Sequence, residues 1–432
     1  MGPRGHHLQR PRPGRRRRRR DRRRLPRTRR PHRRIRRGAA GAAPRWHNTD
    51  VERNRRPVER PRERSRPVSN RRIALVLGPS TGGVGTHVAS VATGLVARGD
   101  AVTVVGPPET EERFGFRATG ARFISAPITS KPSPGLPAAW WAVSKALRGI
   151  TGRGVDVVHA HGMTAGMTAL AARPAGAALV TTWHNTQLAT GVKRQAYDFM
   201  ERRLARGVDV ALAISPDLHS HLVGLGAVDA RLAQAPAPPL RPAGDPKVLR
   251  AQLGIGDRPL ILSVGRLNVQ KDHDTLIAAA KRWTGLDPAP VVAIAGDGPE
   301  RDRLQALIDA SGADVRLLGH RGDIADLLAA ADLVVNTSTW EGYPLSLQEA
   351  LQAGLPLVAT RTGGIPDLVG EGAILFPVGD VDAFDAHVRA LLADPERLAR
   401  LAAAGRAQAA TWPDEERVID VLDALYLELT GR

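Results

Sequence analysis

From residue 71 onward, short apolar runs alternate with longer stretches whose apolar residues recur at helical spacing. The runs are 73–77 (IALVL), 101–105 (AVTVV), 155–158 (VDVV), 179–182 (LVTT), 210–214 (VALAI), 259–264 (PLILSV), 291–295 (VVAIA), 315–318 (VRLL), 333–335 (LVV), 357–359 (LVA) and 375–378 (LFPV). Short apolar runs bounded by glycine, proline and charge read as strands buried on both faces, as in parallel sheets. The periodic stretches 86–98, 300–310, 324–330, 346–353 and 412–429 predict helices. Strand and helix in repeated alternation predict an α/β protein with parallel sheets. The segment 235–246 (APAPPLRPAGDP) is proline-rich and reads as a linker. It separates residues 71–234 from residues 247–410, and 411–432 forms a closing helix. About 360 residues suffice for two such domains.

Ligands in open α/β sheets bind outside the carboxyl ends of the strands, so the loops after the apolar runs hold the candidate chemistry. The stretch 331–367 (ADLVVNTSTWEGYPLSLQEALQAGLPLVATRTGGIPD) reads as strand, loop, helix, strand, loop. Pro344 suits the first helical position, where no N–H is needed, and Gly354 is placed to end the helix. Glu341 and Glu349 are eight positions apart, about 800° on one continuous helix and roughly 80° off a shared face. The break at Gly342, Tyr343 and Pro344 puts Glu341 in the loop and Glu349 in the second helical turn, so both can address one ligand. The free N–H groups of the helix start lie between them and favour an anion such as phosphate. Either acid alone reads better as solvated surface; the ensemble does not.

After 259–264 come Gly265 and Arg266, then Lys271, two cations five residues apart on one strand-end loop. Such a pair suits a diphosphate, whose charge grows as it leaves; arginine grips it bidentately and lysine adds a point charge. After 73–77 comes a glycine loop, 78–85 (GPSTGGVG), including Gly82 and Gly83. The full G-x-G-x-x-G fingerprint is missing, and no acid ends the 101–105 strand, which counts against a dinucleotide cofactor. A turn needing only glycine dihedral angles is the bland alternative. His159 and His161, two apart in an extended run, share a face, and His161 is the better cleft candidate. His184 follows another strand. No third ligand accompanies the H-x-H pair, so no metal is expected.

Taken together, GGVGTHV at 82–88, DVVHAHG at 156–162, the T-x-H-N segment ending in His184 and Asn185, G-R-x4-K at 265–271 and the E-x7-E pair Glu341 and Glu349 resemble the retaining family-4 glycosyltransferases, of the inositol-phosphate or bacterial polysaccharide type. That resemblance, spanning about residues 71–431, implies the GT-B fold, two Rossmann-like domains facing across a cleft. It implies that Glu341 faces the donor sugar hydroxyls and Glu349 holds the ribose. It implies that the amides near Tyr343, Pro344 and Leu345 serve the sugar and diphosphate, and that Arg266 and Lys271 hold the diphosphate. Gly82 and Gly83 would let backbone approach the donor or acceptor. His184 would lie near the transferred sugar, His161 would line the cleft, and the base would sit near His320 and Arg321. Two departures stand out: the linker lacks the family's PNG-V-D-like segment, and Asp272 replaces a common glycine after Lys271. The implied reaction is sugar transfer from a nucleotide-diphosphate donor to a sugar, polyol or glycolipid acceptor, with no further cofactor. Attack from the front face would let the leaving phosphate help deprotonate the acceptor. An epimerase of the same fold is the alternative within the class.

Charge then splits the chain. Residues 1–70 hold 27 of the 63 Lys and Arg residues and 5 of the 43 acids, a charge of +22 against −2 for the remainder. The segment contains the run Arg15 to Arg20, many prolines and few apolar residues, so it cannot bury a core and is expected to be disordered. It reads as a tail for nucleic acid or anionic membrane, or as translated upstream sequence with the true start near Val68 or Asn70. The near-neutral body argues against nucleic acid as the main partner. The segment has no apolar core of a secretory signal. Cysteine is absent, which excludes disulfides and thiolate metal sites. No apolar stretch approaches bilayer-spanning length. The expected setting is the cytoplasm, with peripheral contact at the inner membrane face left open, as are the oligomeric state and the donor base.

Overall fold

The computed structural model describes residues 70–80, 82–129, 136–149, 154–185, 191–238 and 240–431. The Arg-rich segment, and with it the expectation of disorder, lies outside the described residues. The first sheet holds β1 (Arg72–Leu77), β2 (Ala101–Gly106), β3 (Arg122–Ser125), β4 (Val157–His161), β5 (Ala178–Trp183), β6 (Val210–Ala213) and β7 (Ala230–Leu232). Its order is β3-β2-β1-β4-β5-β6-β7, every neighbour parallel. The second holds β8 (Leu260–Val264), β9 (Val291–Ala295), β10 (Val315–Gly319), β11 (Leu333–Asn336), β12 (Leu357–Thr360) and β13 (Ile374–Phe376), in the order β10-β9-β8-β11-β12-β13, again all parallel. Helices cover the sheets, so β4, β5 and β9 are buried along their whole length; their near-continuous apolar runs follow from burial on both faces.

Each sheet has a topological switch. The chain leaves β1 toward β2 and β3 and returns to β4; it leaves β8 toward β9 and β10 and returns to β11. Crevices for ligands form at such points. The loops after β1 and β4 carry the glycine segment and His161, and those after β8 and β11 carry Arg266 and Glu341.

The helix expected at 86–98 begins earlier, spanning Gly83–Ala97. Its glycines are not there for their dihedral angles: none of Gly82, Gly83 and Gly85 has a positive φ. A Cβ on Gly85 would lie 2.1 Å from the Phe114 ring, and one on Gly83 would lie 3.0 Å from Leu345 in the second sheet's half. Space, not turn geometry, demands Gly83 and Gly85, whereas a Cβ on Gly82 would meet nothing. The Ser80 hydroxyl accepts from the Gly85 amide and compensates at the helix start.

The closing helix spans Glu415–Thr430 rather than 412–429. Pro413 disfavours helical geometry at Trp412, the Asp414 carboxylate caps the Arg417 amide, and the Trp412 indole donates to the Leu368 carbonyl. Val418, Ile419, Leu422, Leu425 and Tyr426 join the core under β1 and β2. The buried Arg71 guanidinium bonds Asp100 and the Asp423 carbonyl, and Tyr426 Oη lies 2.6 Å from His159 Nδ1. Helices Leu136–Gly149, Val381–Leu392 and Pro395–Ala409, and strands β3 and β7, were not anticipated from the sequence. Among the described residues no helix is long and apolar enough to cross a membrane.

Candidate functional site

The second sheet's crevice is built from two loops stitched together. The Gln270 side-chain amide donates to the Trp340 carbonyl at 2.7 Å, and the Thr339 amide donates to the Gln270 carbonyl at 2.8 Å. The Thr337 hydroxyl donates to the Lys271 carbonyl at 2.9 Å. These bonds bring together two side chains 70 positions apart: Lys271 Nζ donates to Glu341 Oε1 at 2.5 Å. The Ser338 hydroxyl donates to the same oxygen at 2.8 Å. Glu341 is buried, so its charge requires such partners. Its carbonyl accepts from the Gly364 amide at 2.9 Å. A Cβ on Gly363 would lie 1.9 Å from that carbonyl, and Gly363 has φ 51°, so glycine is required there on both counts.

Asp272, standing where the family commonly has glycine, has φ 46°. Aspartate tolerates this left-handed conformation better than most residues, and its carboxylate accepts from the Thr275 hydroxyl at 2.7 Å. The substitution therefore keeps the sharp turn after Lys271. Arg266 is exposed on the same loop. Behind the loop, the buried His273 opens the next helix.

The helix after Glu341 spans Leu345–Gln352. Pro344 is its cap residue rather than its first member, and it has no N–H to offer; the first-turn amides without helical acceptors are those of Leu345 and Ser346. Gly354 ends it as expected, with φ 74° and the paired Gly354 and Leu355 amide bonds of a Schellman motif. Glu349 is half-buried on the second turn. Burial pushes its carboxyl up to about 6. The Tyr343 side chain points into the core, where burial raises its phenol to about 12.

The first sheet presents a different set. His161 and His184 meet across β4 and β5, Nδ1 to Nε2, at 3.2 Å. His87, from the helix after the glycine loop, packs edge-on against both, with centroids 5.6 Å away. Burial holds all three imidazoles below their ordinary value, His87 at about 4. His159 binds Tyr426 and Thr182 instead, and its ring has no free nitrogen. The two crevices close on one another. A Cβ on Gly342 would lie 3.1 Å from the His184 carbonyl, and the Trp340 indole donates to Asp217 beyond β6 at 3.2 Å.

Sequence reasoning named His184, His161, Gly83, Lys271 and Glu341, and these are placed around the paired crevices. It missed His87, Ser338 and Gln270. The signal for His87 was its presence in the glycine segment, but a single histidine on a helix is ordinarily structural. His320, just after β10, is exposed 3.3 Å from Arg113, and Arg321 is paired with Asp323. Among the described residues no group of three His, Cys, Asp or Glu is arranged to hold a metal ion.

Comparison with known proteins places the chain in a family. The family model for glycosyl transferases group 1 matches residues 246–408, and that for the glycosyl transferase 4-like domain matches residues 82–238. The D-inositol 3-phosphate glycosyltransferase of Xylanimonas cellulosilytica is 32% identical over 304 residues, 64% of this chain and 73% of that protein. The sulfoquinovosyl transferase SQD2 of Arabidopsis thaliana is 28% identical, covering 79% of this chain and 70% of that protein. Anabaena Alr3699/HepE, solved in complex with UDP and glucose, has the same fold: TM-score 0.70, 22% identity, 82% of this chain and 99% of its own.

Proposed function

The chain belongs to the group 1 glycosyl transferases, and on that premise we propose that it moves a hexosyl group from a nucleotide-diphosphate sugar to an acceptor hydroxyl with retention at the anomeric carbon. The observation that carries the reading is the contact between Lys271 and Glu341, beside Gly342 and the His184 backbone. It joins the cation a leaving diphosphate needs to the acid that sugar hydroxyls need. Without substrate, Lys271 compensates the buried Glu341 charge. An arriving diphosphate competes for Lys271, and the carboxylate turns to sugar hydroxyls as donors. Charge that develops on the departing diphosphate is met by Lys271, Arg266 and the Leu345 and Ser346 amides. Glu349, one turn deeper, accepts from the ribose. The acceptor enters over the first sheet's crevice, and its proton leaves with the diphosphate. Neither the epimerase nor the nucleic-acid alternative draws support from the relatives.

The test is a panel of UDP, GDP and ADP sugars offered to the full chain with sugar, polyol and glycolipid acceptors. A bound donor raises the unfolding temperature by mass action, and the productive pair releases nucleoside diphosphate and a glycoside of the donor's own anomeric configuration, read by NMR. Inverted product would overturn retention. Release of free sugar with no glycoside under any acceptor would overturn transfer itself.

A further inference from the structure

The histidines of the first crevice permit a proton count. A neutral imidazole carries one N–H and one lone pair. His161 is 3% exposed; its Nδ1 lies 3.2 Å from His184 Nε2, and its Nε2 is buried with no partner. Burial keeps both rings neutral near pH 7. One proton is therefore shared between the facing nitrogens, and two arrangements are open. In one, His184 Nε2–H donates to His161 Nδ1, and the proton of His161 sits on its orphaned Nε2. In the other, His161 Nδ1–H donates to His184 Nε2, and only a lone pair is orphaned. A buried N–H without an acceptor is the rarer and costlier defect. The second arrangement is favoured, and it forces the remaining proton of His184 onto Nδ1.

We propose that His161 is a positioning residue that fixes His184 as its Nδ1–H tautomer, so that His184 presents a hydrogen-bond donor, never an acceptor, to a substrate oxygen in the crevice. This rests on the reading that His184 faces the transferred sugar. His87 packs T-shaped against both rings, with centroids 5.6 Å away. His159, tilted against His161 with ring centroids 4.4 Å apart, has both nitrogens engaged. A donor at this point selects an oxygen with a lone pair turned toward it. The opposite tautomer would select a hydroxyl aimed the other way.

The chain has 13 histidines, so long-range proton–nitrogen NMR of the uniformly labelled full chain needs the variants His161→Asn and His184→Gln only for assignment. The expected spectrum of the unsubstituted chain shows protonated Nδ1 and unprotonated Nε2 in both rings. A protonated His184 Nε2 overturns the proposal outright and leaves the sugar-facing role of His184 standing. The kinetic arm compares His161→Phe, which keeps a ring without a donor, with His161→Asn, whose amide can replace the Nδ1–H. Loss of this one hydrogen bond should lower turnover roughly five- to tenfold in His161→Phe with little change in KM, and His161→Asn should restore most of it. Turnover unchanged in His161→Phe while His184→Ala loses activity overturns the positioning role alone. Full activity in His184→Ala overturns the sugar-facing reading, and the proposal with it.

Discussion

The two crevices are alike in topology and unlike in chemistry. Both lie at a switch point of a parallel sheet, but the first is lined by buried, neutral histidines, the second by ions that compensate one another. On the proposed reading, the first crevice would recognise by the direction of hydrogen bonds, which depends on tautomers and packing. The second would respond to charge that appears during the reaction, which needs groups already ionised and held against desolvation. A phosphate-leaving reaction places its developing charge on one side of the cleft, and the asymmetry suits that demand.

The largest effect is expected in the second crevice. Lys271→Ala should lower turnover roughly 10²–10³-fold, about 2.7–4 kcal/mol, and raise the donor KM far less, because its contact strengthens in the transition state. Arg266→Lys should recover only part of the loss seen in Arg266→Ala, since lysine keeps the charge but loses the fork. Steady-state kinetics with folding checked by circular dichroism decides. Near-normal turnover in either alanine variant would make the loop a charged surface and erase the contrast. Glu341→Ala should cut turnover strongly while binding of nucleoside diphosphate, measured by calorimetry, stays near normal; equal loss of both would move Glu341 from the sugar to the nucleotide.

The pH dependence of stability separates the crevices by sign. His87 and His159 are held at about 4 and about 3, below the ordinary histidine value. The unfolded chain then binds more protons, so their contribution is complete above about pH 6.5 and is lost as pH falls through 4 and then 3, by several kcal/mol in all. Glu349, raised to about 6, runs the other way: its ionised form is disfavoured in the fold, and its contribution is largest below about pH 4.5 and lost as pH rises through 6. Denaturant unfolding at pH 5 and pH 7 should show His87→Phe flattening the acid loss. The smallest effect is then Glu349→Gln, which should add up to about 2 kcal/mol of stability at pH 7 while weakening nucleotide binding. A variant no more stable than the parent would show that Glu349 is solvated rather than desolvated.

Much of this architecture was legible because strand signals are local. The alternation of apolar runs carried both sheets apart from β3 and β7, and the placement of Arg266, Glu341, His161 and His184 put them at the carboxyl ends of strands. The Lys271–Glu341 contact was not legible, since nothing local links positions 271 and 341. Glycine in the 82–85 segment was visible, but its reason lay in Phe114 and Leu345, residues remote in sequence. Helices Val381–Leu392 and Pro395–Ala409 lack a chemical motif and went unseen. The unpartnered nitrogen of His161 is a fact of packing and leaves no trace in the residue order.

The closing helix has a consequence for how the chain is made. Arg71 bonds Asp423 across 352 positions, and the apolar layer under β1 and β2 is finished by residues 418–426. A ribosome releases the first sheet early, yet one of its faces stays incomplete until residues 418–426 have followed. Contacts of such separation form late and slowly. The half that begins first is therefore completed last, and a chain cut at residue 411 should expose that layer, bind a hydrophobic dye and lose amide protection along β1 and β2, while β8 to β13 keep theirs.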